Sequence, residues 1–383
     1  MKCRVHESVK EITPADWDAC ANPPGQPYNP FVSHAFFLAL EESGSATRRT
    51  GWLGRHVAFA DESSKIVGIA PCFLKSHSSG EYVFDHAWAD AFERAGGRYY
   101  PKLQVSVPFT PVTGPRLMAS DPRHKRLLAE ALRQVCTETH ASSVHITFLP
   151  QEDWETLGLS PWLRRTDTQF HWFNRDYETF DDFLAGLSSR KRKNIRKERE
   201  AVRAAGIEFE WATGNSLTEA HWDAFFDFYM DTGSRKWGRP YLTRKFFSLI
   251  HQSLADRILI VICRRAGRMI AGALNFIGSD ALYGRNWGAI EHHEFLHFEA
   301  CYYQAIEFAI ARKLPRVEAG AQGPHKLARG YVPVTTHSLH FLSHPGLSRA
   351  VAEYLEEERE AVRADQTYLA QHAPFRDAAQ DDF

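Results

Sequence analysis

The chain has 383 residues, 44% of them apolar and 13% aromatic, with 46 Lys and Arg against 47 Asp and Glu for a formal net charge of −1. That length exceeds one ordinary core and suits two domains, and the balanced charge excludes a polyanion binder that uses its whole surface, so any basic surface is local. No stretch approaches the roughly 18 apolar residues of a membrane span; the start, MKCRVHESVKEI, lacks the apolar core of a secretion signal; and the six scattered cysteines form no metal-ligand spacing, which together predict a cytoplasmic protein with reduced thiols.

In chain order, Lys2–Ile12 reads as a first strand, and Thr13-Pro14 as a cap followed by Pro at the first helical position. Phe36, Phe37 and Leu40 recur at helical spacing within Phe31–Glu42. His56–Ala60 and Ile66–Leu74 form a hairpin around Asp61–Lys65. Ser76–Gly114 is irregular, aromatic and rich in Gly and Pro. After Asp121-Pro122, the residues Leu128, Ala131, Leu132 and Val135 mark an amphipathic helix, and Val144–Leu149 is a strand. The order then recurs. Helices are expected near His221–Tyr229 and Arg244–Leu254, a hairpin over Ile258–Cys263 and Met269–Ile277, and a strand over Ala281–Ala289. The helix Glu299–Arg312 and the strand Arg316–Ala319 follow. SKIVGIAPCF (Ser64–Phe73) parallels GRMIAGALNF (Gly267–Phe276). Two copies of one mixed α/β unit, meeting near Trp162–Thr168, account for this order. From Ser348 a charged helix leads to an acidic end, Asp377–Asp382.

Four stretches carry chemistry-bearing residues. Ser188–Arg199 holds seven cations in twelve residues. Leu184, Leu187, Ile195 and Val202 supply an apolar stripe, and Ser188 or Ser189 a helix cap. Arg190, Lys191, Arg192, Lys193, Arg196 and Lys197 are candidate contacts to a phosphate-bearing partner; the alternative is a solvated face with pairs such as Arg196–Glu200. His293-Glu294-Phe295-Leu296-His297 matches the H-E-x-x-H pattern of zinc peptidases, but it falls at a strand-to-helix turn, so no metal is assigned. Cys301 is a nucleophile or a core thiol. Finally, RVEAGAQGPHKLARGY (Arg316–Tyr331) sets Glu318 at the C-terminal end of a strand, where sites of α/β sheets gather. Glycines and His325, Lys326 and Arg329 follow. Acid, glycines and cations converging there point to an anion-handling site; the alternative is a polar loop. G-x-S-x-G, G-x-G-x-x-G and P-loop patterns are missing, which argues against common hydrolase, NAD and NTPase functions.

NPFVSHAFFLALEESG, PFTPVTGPRL, LSSRKRKNIRKER, GRNWG, LHFEACYYQ and GAQGPHKLARG resemble stretches of a FemAB-like family, labelled peptidoglycan biosynthesis/recognition, within the GNAT acyl-CoA N-acyltransferase superfamily. The resemblance implies an α/β, mixed α+β fold of two tandem GNAT-like domains, each a mixed sheet flanked by helices. They would cover 1–165 and 166–346, the second holding the active cleft, with 347–383 a terminal helix and acidic tail. It implies an N-acyltransferase that passes an acyl or aminoacyl group to the amine of a small molecule or peptide, related to peptidoglycan precursors. Acyl-CoA or aminoacyl-tRNA would be the donor, and tRNA a candidate partner. Glu318 and His325 would be catalytic. Asn286, Gln322, Lys326, Arg329 and Tyr302 would contact substrate around a cleft where Ala281–Ala289 and Arg316–Ala319 splay. Backbone N–H groups near Trp287–Gly288 would stabilise an oxyanion. The Arg/Gln-x-x-Gly-x-Gly/Ala loop of acetyl-CoA enzymes is replaced by Glu291–His297 in the second unit and Thr113–Arg116 in the first. That departure leaves aminoacyl-tRNA or another donor open. The competing functions are a non-catalytic module for RNA or a cell-wall precursor, and a zinc hydrolase at His293, Glu294 and His297.

Overall fold

A computed structural model of the chain describes residues 2–236, 240–321 and 323–376. Gln322 and the acidic end from residue 377 lie outside the described residues. The chain begins with β1 (Lys2–His6), α1 (Pro14–Ala21), α2 (His34–Glu42), β2 (Trp52–Gly54), β3 (His56–Ala60), β4 (Ile66–Ala70) and β5 (Cys72–Lys75). Next come α3 (His86–Arg94), β6 (Lys102–Val105), α4 (Pro122–Glu138), β7 (Ser143–Leu149), α5 (Gln151–Leu157) and β8 (Leu163–Phe173). After these are α6 (Phe180–Gly186), α7 (Ser189–Ala204), β9 (Ile207–Thr213), α8 (Glu219–Lys236), α9 (Arg244–Leu254), β10 (Ile258–Arg265), β11 (Arg268–Ile277) and β12 (Ala281–Ala289). A three-part helix joins α10 (Leu296–Phe298), a π-helical turn (Glu299–Tyr303) and α11 (Gln304–Ala311). The chain then forms β13 (Arg316–Ala321), a 3₁₀ segment (Pro324–Arg329), β14 (Val332–Leu342) and α12 (Pro345–Gln371). The first strand is shorter than Lys2–Ile12, because the Ser8 capping box opens a 3₁₀ turn at Val9–Glu11. The stretch read as irregular, Ser76–Gly114, contains α3 and β6.

The chain divides into two compact units, Met1–Asp167 with Thr335–Ala364, and Thr168–Val334 with Asp365–Phe383. In the first, β1-β3-β4 form a small antiparallel sheet, and β2-β5-β6-β7 continue to β14. β6 and β7 are parallel and register over only three pairs, Leu103–Val105 with Val144–Ile146. α1 begins as expected, with the Thr13 side chain accepting from the Asp16 N–H and Pro14 in the first turn. Leu128, Leu132 and Val135 of α4 bury against Leu103, Val105, Val144 and Ile146.

The other face of this sheet is polar and equally buried. Lys102 and Gln104 on β6, His145 and Thr147 on β7 and His340 on β14 are each at most 2% exposed. Alternation of this kind ordinarily marks a face turned to water; here Glu81, Asp85 and Tyr99 from the segment between β5 and β6 join it. Lys102 Nζ donates to Glu81 and Asp85. His145 and His340 meet Nδ1 to Nδ1 at 2.7 Å. Burial, then the Lys102 ammonium, pushes His145 down to about 3, and burial and His145 push His340 well below the ordinary histidine value. An unfolded histidine titrates near 6.5, so between there and about pH 3 the unfolded chain binds more protons and stability falls with pH. Acidifying from pH 6.5 to 5 is therefore expected to cost about 2 kcal/mol through His145 alone. Urea unfolding at the two pH values reads it, and His145→Gln flattens the dependence.

The second unit has strand order β9-β10-β11-β12-β13-β8. All neighbours are antiparallel except β12 and β13. It thus repeats the first unit's parallel central pair. Trp172, Phe183, Leu184, Val317, Leu282, Ile306 and Tyr303 make one core on the side of α6, α7 and α11. On the opposite side α8 lies against β12. A Cβ at Gly288 would stand 2.3 Å from both the carbonyl carbon and oxygen of Phe228. Gly288→Ala must push α8 away, and is expected to cost about 1–3 kcal/mol by overpacking. An unchanged thermal midpoint would contradict this seating.

Candidate active site

β12 and β13 register only over Ala281–Tyr283 with Arg316–Glu318, after which β12 runs on to Ala289 and β13 to Ala321. The strands part there, and a left-handed Gly320 (φ 74°) turns β13 out of register with β8. Glu318 stands at the parting point, directly across from Tyr283 on one side and His171 on the other. It is 3% exposed. Its Oε1 accepts from Arg316 Nε at 3.0 Å, and Arg316 Nη1 reaches Asp280 at 2.6 Å. Its Oε2 lies 3.8 Å from His171 Nε2 and has no hydrogen-bond partner among the described residues. Burial pushes His171 below its ordinary value, opposed by the Glu318 charge, so the ring is neutral at pH 7. Burial, then Glu318, raises the Tyr283 hydroxyl.

The residues after β13 divide between exposed and internal roles. Lys326 is buried, and its Nζ donates to the Ala319 and Gly320 carbonyls at 2.8 and 3.0 Å, fixing the end of β13. Burial pushes its amine down to about 8. Arg329 is also buried, with Nη2 on Glu198 Oε1 at 2.8 Å, Nη1 on the His325 carbonyl at 2.8 Å and its guanidinium 3.4 Å over the Phe298 ring. Both cations therefore shape the loop from within. His325 is exposed, with Nε2 2.9 Å from the Tyr302 hydroxyl. Burial, then Arg329 and Lys326, lower its proton affinity. Its ring also packs near Phe298 and His297, and His297 meets Trp287 of β12. Asn286 is half-buried on β12, paired with Leu274 in the ladder, and its side chain makes no hydrogen bond among the described residues.

The π-helical turn connects this cluster to the basic helix. Tyr302 faces His325, while Glu299 and Tyr303 face α7. Arg199 is held by two bonds to Glu299 (3.1 and 3.0 Å) and two to Glu307 (2.9 and 3.0 Å). The Tyr303 hydroxyl donates to Glu198. π turns recur at functional sites because the extra residue re-aims side chains. A continuous helix was expected here, and periodicity does not reveal the insertion.

Along α7, Ile195 and Val202 are buried as the stripe requires. Ser188 occupies the cap position, but its side chain makes no cap bond. Arg196 pairs with exposed Asp181 at 3.0 Å rather than with Glu200. Arg190, Lys191, Arg192, Lys193 and Lys197 make no ion pair among the described residues. The zinc-hydrolase geometry is not formed. His293 bonds Glu291 at 3.0 Å, Phe295 is left-handed (φ 63°), and α10 begins only at Leu296. His293 and His297 therefore do not share a helical face. His171, Glu198 and Arg199 belong to the site's framework and were missed as site residues. Glu198 had a readable signal, as the one acid inside the run Arg190–Arg199.

A mixed sheet with one parallel central pair, repeated in each unit and parting after three residue pairs in the second, defines a GNAT-like fold. The chain belongs to the FemAB-like family, described as peptidoglycan biosynthesis/recognition, whose model matches residues 8–377. Among solved structures it is similar to FemX, at 11% identity and a TM-score of 0.53, covering 92% of this chain and 100% of that one. L-PGS from Bacillus licheniformis is similar at 9% identity and a TM-score of 0.51, covering 87% and 98%. The C-terminal domain of a putative lysylphosphatidylglycerol synthetase from Agrobacterium fabrum matches at 8% identity and 0.51, covering 91% and 97%. At these identities the likeness is one of fold. No curated protein matches the chain. Among the described residues no helix is long and apolar enough to cross a membrane.

Proposed function

We propose that the chain is an N-acyltransferase that binds and deprotonates its acceptor amine beside Glu318. The observation that carries this reading is Glu318 Oε2, which has no hydrogen-bond partner among the described residues and is buried where β12 and β13 part. Leaving such an oxygen without a donor costs about 1–3 kcal/mol, and an ammonium both donates to it and balances its charge. In the reaction, the amine proton passes to Glu318 and the nitrogen attacks the acyl carbonyl carbon. The bond from that carbon to the donor's oxygen or sulfur breaks, and the leaving group takes a proton. The attacking nitrogen must lose a second proton, and the His325 imidazole, its proton affinity lowered by burial, Arg329 and Lys326 and its Nε2 beside the Tyr302 hydroxyl, is suited to take that proton and pass it to the leaving group. N–H groups around Trp287–Gly288 would hold the oxyanion.

Arg190, Lys191, Arg192, Lys193 and Lys197 of α7, which make no ion pair among the described residues, favour a phosphate-bearing donor, acyl-CoA or aminoacyl-tRNA. The lack of a pyrophosphate loop at Glu291–His297 favours the second. The family's description supports a peptidoglycan-precursor amine as acceptor, and the aminoacyl chemistry in the name of the lysylphosphatidylglycerol synthetase agrees with an aminoacyl donor. Native mass spectrometry of the purified protein, with turnover over a panel of acyl-CoA and aminoacyl-tRNA donors and amine acceptors, tests this. A retained donor discharged by an amine is expected. A second reading, RNA binding without catalysis, rests on the same α7 cations; it wins if RNA binds with steep salt dependence while every donor and acceptor pair gives no turnover.

A further inference from the structure

We propose that Glu198 of the basic helix is a positioning residue for His325, acting through Arg329. Three contacts in series carry it. Glu198 Oε1 accepts from Arg329 Nη2 at 2.8 Å, and Arg329 Nη1 donates to the His325 carbonyl at 2.8 Å. The His325 ring in turn meets the Tyr302 hydroxyl at 2.9 Å. The second Glu198 oxygen accepts from Tyr303, the neighbour of Tyr302 in the π turn. One carboxylate therefore grips both walls that fix the imidazole, the 3₁₀ segment behind its backbone and the π turn in front of its ring. Arg329 has little freedom to choose another partner, because its guanidinium is stacked 3.4 Å over Phe298 and its side chain is only 8% exposed. Glu198 turns inward with Arg199, away from the two cations that precede it. Arg196 and Lys197 are exposed, whereas the Glu198 side chain is 15% exposed and turned inward.

The charge arithmetic gives the effect a sign. His325 faces Arg329 and Lys326 on its own segment, and Tyr302 and His297 on the three-part helix. Glu198 neutralises Arg329. Taking that carboxylate away leaves the guanidinium charge uncompensated near the ring and makes the imidazolium harder to form. Taking Arg329 away does the opposite.

The test follows the His325 ring in the full chain by NMR titration of its Cε1 proton, assigned with His325→Gln. Glu198→Gln is expected to lower the His325 proton affinity about two- to five-fold, and Arg329→Met to raise it by a similar factor. Glu198→Asp, which keeps the charge and loses one methylene, falls between. Glu200→Gln, one turn-fraction away and exposed, leaves it unchanged. In the transfer assay Glu198→Gln lowers kcat with little change in KM. The inference rests on the acyl-transfer reading only for what His325 does, not for how it is held. If His325 titrates identically in Glu198→Gln and wild type, with only the melting temperature lowered, Glu198 is a structural contact and the proposal is wrong. If His325 moves as expected but the wild type transfers no acyl group, the positioning stands and the acyl-transfer reading fails.

Discussion

Glu318→Gln is expected to leave the fold and donor binding intact while lowering acyl transfer about 10²- to 10⁴-fold, the usual contribution of a positioned general base. The substitution conserves shape. A glutamine oxygen still accepts from Arg316 Nε, and Arg316 keeps Asp280 at 2.6 Å, so the half-buried guanidinium retains both partners. What disappears is the charge that attracts the ammonium and the site that takes its proton. The loss belongs in kcat for the acceptor, because a neutral amide cannot accept that proton. His171 lies 3.8 Å from Glu318 Oε2 and is held neutral; His171→Asn is therefore expected to cost far less. A Glu318→Gln enzyme within about two-fold of wild type would remove Glu318 from the reaction.

The second large effect is on stability. Lys102→Met is expected to destabilise the first unit by about 3–5 kcal/mol, because it strands two buried carboxylates. Lys102 bonds both Glu81 and Asp85, and all three side chains are at most 2% exposed. The nearest other cation, Lys75, lies 3.7 Å from Glu81 and sits 3.4 Å over the Trp52 ring. Burial pushes its amine down to about 7, so it is a poor substitute charge at neutral pH. With Lys102 in place, Asp85 is held well below the usual carboxylate range despite its burial. Its stabilising contribution is present above the unfolded carboxylate value near 3.9 and is lost as pH falls through the depressed folded value. In Lys102→Met the carboxylates prefer to be protonated, so the gap between variant and wild type narrows in acid. Urea unfolding at pH 7 and pH 4 measures both effects, and a gap under about 1 kcal/mol at pH 7 would contradict the account.

How much of this was legible in the sequence depends on the element. The hairpins around Asp61–Lys65 and Ala266–Gly267 announced themselves by apolar runs bounded by turn residues, and α4 by its cap and stripe. β6 did not. Lys102-Leu103-Gln104-Val105 is short, follows a Gly- and Pro-rich stretch, and its polar residues pair inside a covered face rather than in water. The closing strands β14 and β8 were equally hard, since each joins a sheet whose other strands lie far away in sequence. At the site, Glu318 was readable as an acid at a strand end. Lys326 and Arg329 were readable as cations but not as inward-facing ones, because only the fold supplies the Ala319 and Gly320 carbonyls, Glu198 and Phe298 that occupy them. Charge in a sequence says that a partner exists, not whether it is a ligand or the protein itself.

Single-turnover transfer of a labelled acyl or aminoacyl group from a bound donor to an amine, in wild type and Glu318→Gln at equal donor occupancy, shows whether Glu318 takes the amine proton. Labelled amide is expected from the wild type, and retained, undischarged donor from Glu318→Gln. Equal amide formation by the two proteins would contradict that role for Glu318.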